Sequence, residues 1–167
     1  MQDWDSFDMT PYTPATERMK ATIPFTGMNA AEVFDVMGDP ERITDWFLLA
    51  KEVRVHPAEP GEEASFNVVF TFFGDVYEEV LLWDPPYRYV YVAKGPDFPI
   101  RDYVARVEVE ETGDRVGVVR WAFHYDVIEG EAFERIIPVM LPPIIEESLR
   151  RLAPLIGGSA VEMVNSM

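Results

Sequence analysis

The chain has 167 residues and no cysteine, and carries 14 Lys and Arg against 30 Asp and Glu, a net charge of −16. The missing thiols exclude disulfides, thiolate metal sites and cysteine nucleophiles, and so acidic a surface argues against nucleic acid as a partner because it repels phosphate. A content of 48% hydrophobic and 13% aromatic residues is that of a globular chain able to bury its own core as one domain.

Residues 1–16 mix acidic, Pro and Thr positions without periodicity and read as an irregular arm, with Trp4 and Phe7 available to dock on the body. The start lacks the basic stretch and apolar run of a signal peptide. No apolar run reaches the ~20 residues that span a bilayer. The expectation is a soluble, cytoplasmic protein without a membrane span.

From Arg18 the pattern alternates, with Met19, Ala21, Ile23 and Phe25 on one face and Lys20, Thr22 and Thr26 on the other, which predicts a half-buried strand. Pro24 has no N–H and suits an edge or a bulge. Asn29 is placed to cap a helix over 30–37 whose apolar stripe is Val33, Phe34 and Met37, and Gly38 stops it. Asp39 caps a second short helix with Pro40 at its first position and Ile43, Trp46 and Phe47 on its buried face.

Six strand-like runs follow. Residues 51–56 place Val53 and Val55 inward; 57–63 form a turn region. In 64–73, Phe66, Val68, Phe70 and Phe72 share a face, and Gly74-Asp75 marks a tight turn. Residues 76–83 are apolar on both faces and leave parity open, with Phe73 and Trp83 assigned away from the inward set. In 87–94, Tyr87, Tyr89 and Tyr91 share a face. Residues 100–111 put Tyr103, Ala105, Val107 and Val109 inward; 115–128 put Trp121, Phe123, Tyr125 and Val127 inward. Hairpin-length links join these runs, so the sheet is an antiparallel meander. Residues 131–141 then read as a helix that Pro138 kinks and Pro142-Pro143 breaks, restarting at Pro143 with Ile145, Leu149, Leu152 and Ile156 on one face. Gly157-Gly158 ends it, and the last residues read as frayed.

Fourteen of the 22 aromatic residues lie between Phe66 and Tyr125, so one face of the sheet needs a cover, and the terminal helix is the large apolar cover coded nearby. The space between them is a natural small-molecule site. Its expected lining is Phe70, Phe72, Tyr89, Tyr91, Tyr103, Trp121, Phe123 and Tyr125 from the sheet, facing Met140, Ile144 and Leu149 of the helix.

His56 and His124 fall on outward parity in separate strands and read as surface or edge residues, and no His-rich zinc signature is present. There is no nucleophile elbow, phosphate loop or dinucleotide fingerprint, so neither a metal nor a cofactor is expected. Of four acidic doublets, Glu62-Glu63, Glu110-Glu111 and Glu146-Glu147 are turn, strand-end or helix-start charges. Glu78-Glu79 lies mid-strand, so one of the two points to the covered face, where desolvation raises a carboxyl pKa as a general base requires. Arg101 shares nominal parity with Tyr103 and could anchor a ligand carboxylate or an enolate oxygen.

The order strand, two short helices, six strands, long helix resembles the helix-grip fold of the START-like (SRPBCC) superfamily, and within it the polyketide cyclase/dehydrase-like proteins. The stretch "NAAEVFDVMGDPERITDWF" at 29–47 resembles that family's first helix and its Asp-Pro-Glu-Arg helix with a downstream Trp. "WDPPYRYVY" at 83–91 resembles its Asp-Pro-Pro hairpin. The resemblance covers roughly residues 18–156. It implies an α+β fold, a seven-stranded curved antiparallel sheet wrapped around a long kinked C-terminal helix, over a domain at 17–157; the arm at 1–16 and a flexible tail at 158–167 lie outside the resemblance. It implies binding of a hydrophobic molecule, polycyclic, polyketide-like or lipid-like. A cyclase/dehydrase enzyme is the alternative, with Glu78 or Glu79 as base and Arg101 or a tyrosine as oxyanion donor. An acidic module docking a basic protein is the third reading.

Overall fold

The computed structural model describes residues 4–60 and 65–165. Part of the expected 57–63 turn, the Glu62-Glu63 doublet and the two chain ends lie outside the described residues. The elements are β1 (Glu17–Thr26), α1 (Ala30–Met37), α2 (Ile43–Trp46), β2 (Ala50–His56), β3 (Ser65–Phe70), β4 (Gly74–Asp84), β5 (Arg88–Lys94), β6 (Ile100–Gly113), β7 (Val116–Val127), α3 (Glu131–Leu152) and β8 (Glu162–Asn165). All strands form one open antiparallel sheet in the order β2-β3-β4-β5-β6-β7-β1-β8. One face packs on α1, α2 and α3 around a core that includes Phe25, Val33, Phe34, Trp121, Leu149 and Ile156. This is the helix-grip arrangement, a sheet closed over its terminal helix.

Local chemistry explains the short helices. The Glu32 N–H donates to Asn29 Oδ1 at 2.9 Å and the Asn29 N–H donates to Glu32 Oε2 at 2.8 Å, a reciprocal capping box. Asp39 Oδ1 accepts from the Glu41 N–H at 3.0 Å over a one-turn 3₁₀ segment, Pro40–Arg42, that leads into α2.

Two expectations are corrected. The sheet has eight strands, not seven. Gly157, at φ 73°, turns the chain; Gly158 bridges to Phe25 and the Ser159 N–H donates to the Pro24 carbonyl, so the tail returns as β8 along β1. The glycines act as a turn rather than as a stop, and the exposed edge of β1 is what the tail covers. Second, α3 is continuous through Pro138, Pro142 and Pro143. The prolines remove backbone donors, yet Ile137, Leu141, Ile144, Ile145, Ser148, Leu149 and Leu152 form one uninterrupted buried stripe that holds both halves on the sheet. The arm, whose docking the sequence left open, packs on the outer face of the sheet. Met9, with Phe7 and Tyr12, joins Val90 and Val104 in a second small core, and the Thr13 hydroxyl donates to the Asp102 carbonyl at 2.7 Å.

The arm also changes the environment of His124. It lies buried on the outer face with Nδ1 3.3 Å from the Ala15 carbonyl and Nε2 3.7 Å from Glu17. Outward parity holds, but outward is not exposed where a second layer covers the sheet. Burial lowers its pKa below the ordinary value. His56 is exposed.

Candidate functional site: an aromatic cavity with one buried carboxyl

Strand alternation aims Val76, Glu78 and Val80 of β4 at the covered face, opposite Phe66 of β3 and Tyr91 and Ala93 of β5. The register then shifts between Val80 and Leu82. The shift turns Leu82 to the outer core beside Val90 and brings Trp83 inward over the end of α1. Trp83 sits so close there that a Cβ on Gly38 would come within 2.7 Å of its ring. Tyr89, Tyr91, Phe98, Ile100 and Tyr103 continue the wall; Trp121 of β7, Trp46 and Phe47 beside α2, and Leu141, Ile144 and Ile145 of α3 close it.

The cavity volume is about 80 Å³, roughly half the ~150 Å³ that accommodates one benzene in an apolar protein interior. A ligand must therefore displace wall side chains. Trp83 is 37% exposed and Phe70 and Phe98 are half-buried, which makes that side of the wall the one free to move.

Glu78 supplies the one formal charge among the described lining residues, and no Lys, Arg or His lines the cavity with it. Its carboxyl is removed from bulk water yet retains surface, as a group facing a cavity does. Burial alone pushes its pKa from 4.5 up to about 8, so it is mostly protonated at neutral pH. The phenols of Tyr89, Tyr91 and Tyr103 are also pushed up, first by burial and further by Glu78; Tyr103 adds to the rise at Tyr89 and Tyr91, while the Tyr91 hydrogen bond opposes it at Tyr103. The Tyr89 hydroxyl donates to the Met37 carbonyl at 3.2 Å, and the Tyr91 and Tyr103 hydroxyls lie 3.3 Å apart. The indole N–H groups of Trp46 and Trp121 are buried with no acceptor among the described residues. Each such orphaned donor costs about 1–3 kcal/mol.

Of the residues proposed for the lining, Phe70, Tyr89, Tyr91, Tyr103, Trp121 and Ile144 stand on the cavity wall. Phe123, Tyr125 and Leu149 are buried away from that wall, and Met140 is half-buried against the core. Phe72 is 72% exposed, because β3 ends at Phe70 and the turn 71–73 reverses parity, bringing Phe73 inward in its place. Glu79 is half-buried on the other face, paired with Ser65 and Val92. Arg101 is exposed: a register shift between Arg101 and Val104, with Asp102 at φ 53°, places Ile100 and Tyr103 inward and turns the arginine out. Phe73, Trp83 and Phe98 lie at turns and shifts that alternation cannot follow. Trp46 and Phe47 were legible as buried but not as cavity wall.

Among the described residues no group of three or more His, Asp or Glu could hold a metal ion, and no helix is long and apolar enough to cross a membrane.

Fold and site define a helix-grip protein with an aromatic cavity between sheet and terminal helix. A family model described as polyketide cyclase/dehydrase and lipid transport matches residues 16–157, and the chain belongs to that family. No curated protein matches in sequence. Solved structures share the fold. A Thermobifida fusca protein is 22% identical with a TM-score of 0.62, covering 81% of this chain and 91% of its own. Bacillus cereus XoxI is 17% identical with a TM-score of 0.64, covering 83% and 95%. Norcoclaurine synthase from Thalictrum flavum, in complex with dopamine and hydroxybenzaldehyde, is 15% identical with a TM-score of 0.61, covering 94% of both chains.

Proposed function

We propose that the protein binds a hydrophobic small molecule, polyketide-like or lipid-like in character, between the sheet and α3, in a cytoplasmic setting suited to a chain without cysteine. One observation carries this reading: an aromatic cavity holds a buried carboxyl that no cation compensates. A closed core gains nothing from such a group, because burying it costs free energy that a ligand contact can offset. The test is native mass spectrometry of protein purified from its own host. A co-purified hydrophobic molecule that is lost when Tyr91→Ala opens the wall supports the proposal; protein that is always free of such molecules, and that takes up none when offered, contradicts it.

A second reading rests on the same carboxyl. With a pKa near 8 and three phenols around it, Glu78 suits a general base that removes a proton beside a carbonyl, the phenols receiving the developing negative charge. Arg101, being exposed, takes no part. On this reading Glu78→Gln lowers turnover of a β-keto substrate by about 10²–10⁴-fold, the usual contribution of positioned proton transfer, while ligand retention in the mass spectrum persists.

A further inference from the structure

One end of the cavity is fastened and the other is not. At the α3 end the Leu48 N–H, just after α2, donates to Ser148 Oγ at 2.9 Å, and that hydroxyl donates to the Ile144 carbonyl at 2.7 Å. Helix α3 runs through its three prolines unbroken, so no interruption in it marks a hinge. Phe70 and Phe98 are linked through Phe73 into a chain of ring contacts from Phe47 to Tyr103, with centroids 5.3 to 6.2 Å apart.

The Trp83 end is built differently. Trp83 is the one exposed residue among the described lining residues. It lies just beyond the register shift between Val80 and Leu82. The β3 ladder follows β4 only as far as Glu79, so among the described residues 80–84 are held by β5 alone. A stretch paired on one side and open on the other is where a sheet yields first. The indole rests on Phe34, with ring centroids 4.9 Å apart at 62°, and on Tyr89, at 5.7 Å and 45°. Its far edge lies over Gly38. That glycine has φ −84° and ψ −4°, a backbone open to any residue, yet a Cβ there would come within 2.7 Å of Trp83 Cη2 and 3.0 Å of the Phe34 carbonyl. The tip of a side chain gives way before helix backbone does, so a methyl at 38 pushes the indole outward.

Cavity size makes that movement necessary. At about 80 Å³ the space is too small for one benzene, which takes ~150 Å³. An indole is larger than benzene, so turning Trp83 out of the wall supplies the missing space and an opening at once. We propose that Trp83 is the entrance of the cavity: a ligand passes between the end of α1 and the second half of β4 by turning the indole off Phe34 and Gly38, and the vacated place sets the size of ligand that fits. This rests on the binding reading above and gives it a mouth and a size-selecting residue.

The test uses the full chain with 5-fluorotryptophan at its four tryptophans. Trp83→Phe and Trp4→Phe identify those two ¹⁹F signals. The probe is N-phenyl-1-naphthylamine, a neutral aromatic whose fluorescence rises in apolar surroundings. At saturation the Trp83 signal should move and gain the H₂O/D₂O isotope shift of a solvated indole, while that of Trp4, stacked on Arg106 at the outer face, stays in place. Gly38→Ala should show the solvated Trp83 signal without probe. It should also speed probe association in stopped flow by about tenfold, the factor that loss of two ring contacts corresponds to. Trp83→Ala should speed association similarly, and decides the matter with the wild-type signal should Gly38→Ala fail to fold. Probe that enters the variants but not the wild type also supports the proposal. If the probe binds while Trp83 keeps its free-state signal and neither variant alters the rate, the entrance is overturned and the binding reading stands. A Trp83 signal that moves in Gly38→Ala with no change in rate overturns it too, since entry then lies elsewhere. If the probe binds none of the three proteins, the binding reading falls and the entrance with it.

Discussion

On the outer face of the sheet Glu108 is buried beside three arginines; on the inner face Glu78 is half-buried, its carboxyl desolvated, beside none among the described lining residues. Both carboxyls are desolvated and both have raised pKa values. Around Glu108 the charges of Arg106, Arg88 and Arg120 oppose that rise, and the arm completes the shell. The Arg106 guanidinium stands 3.8 Å from the Trp4 ring centroid and 4.8 Å from that of Phe7, which also takes Arg88 at 5.1 Å. Around Glu78 there are aromatic walls and no opposing charge. The outer cluster is charge arranged to hold the arm on the domain. The inner carboxyl has no such partner among the described lining residues, and the proposed function rests on that contrast.

The contrast breaks most severely at Arg106. Arg106→Met removes a buried cation next to Glu108 and the partner of two aromatic rings, and should cost about 3 kcal/mol in urea denaturation. Glu78→Gln should act in the opposite direction. The folded pKa of Glu78 lies near 8, above its ordinary 4.5. Between those values the unfolded chain releases a proton that the folded chain keeps, so its contribution to stability is full below pH 4.5 and is lost as pH rises toward 8. The variant lacks that loss, and at pH 8 should be more stable than wild type, with little difference at pH 4.5. His124, whose pKa is lowered, makes the stability of both proteins rise with pH and cancels from the difference. Ser148→Ala leaves the Leu48 N–H without its acceptor and should cost about 1–2 kcal/mol, loosening the wall at Trp46. Smallest of all, Arg101→Ala and Glu79→Gln should stay within about 0.5 kcal/mol and leave ligand binding unchanged, since neither faces the cavity.

The parts of this contrast that were legible in the sequence are those governed by local period. Alternation placed Tyr89, Tyr91, Tyr103 and Trp121 on one face. Asn29 and Asp39 announced both short helices, and the Glu78-Glu79 doublet required one inward carboxyl. Where a bulge or turn adds or removes a residue, period fails. That is why Arg101 and Phe72 were assigned inward and Trp83 and Phe73 were not. Long-range pairing was equally hidden: nothing local to residues 158–165 shows that β1 offers a free edge, and nothing local to 4–15 shows that Arg106 awaits two aromatic rings. The missing acceptors of Trp46 and Trp121 are a property of the assembled wall alone.

The most direct test of the contrast is the titration of Glu78 itself, read from its side-chain carboxyl ¹³C shift and identified by its loss in Glu78→Gln. A midpoint near pH 8 is the predicted result, the signature of a buried carboxyl without a counter-charge. A midpoint near the ordinary 4.5 would show that water or a cation already compensates it, and would contradict the account.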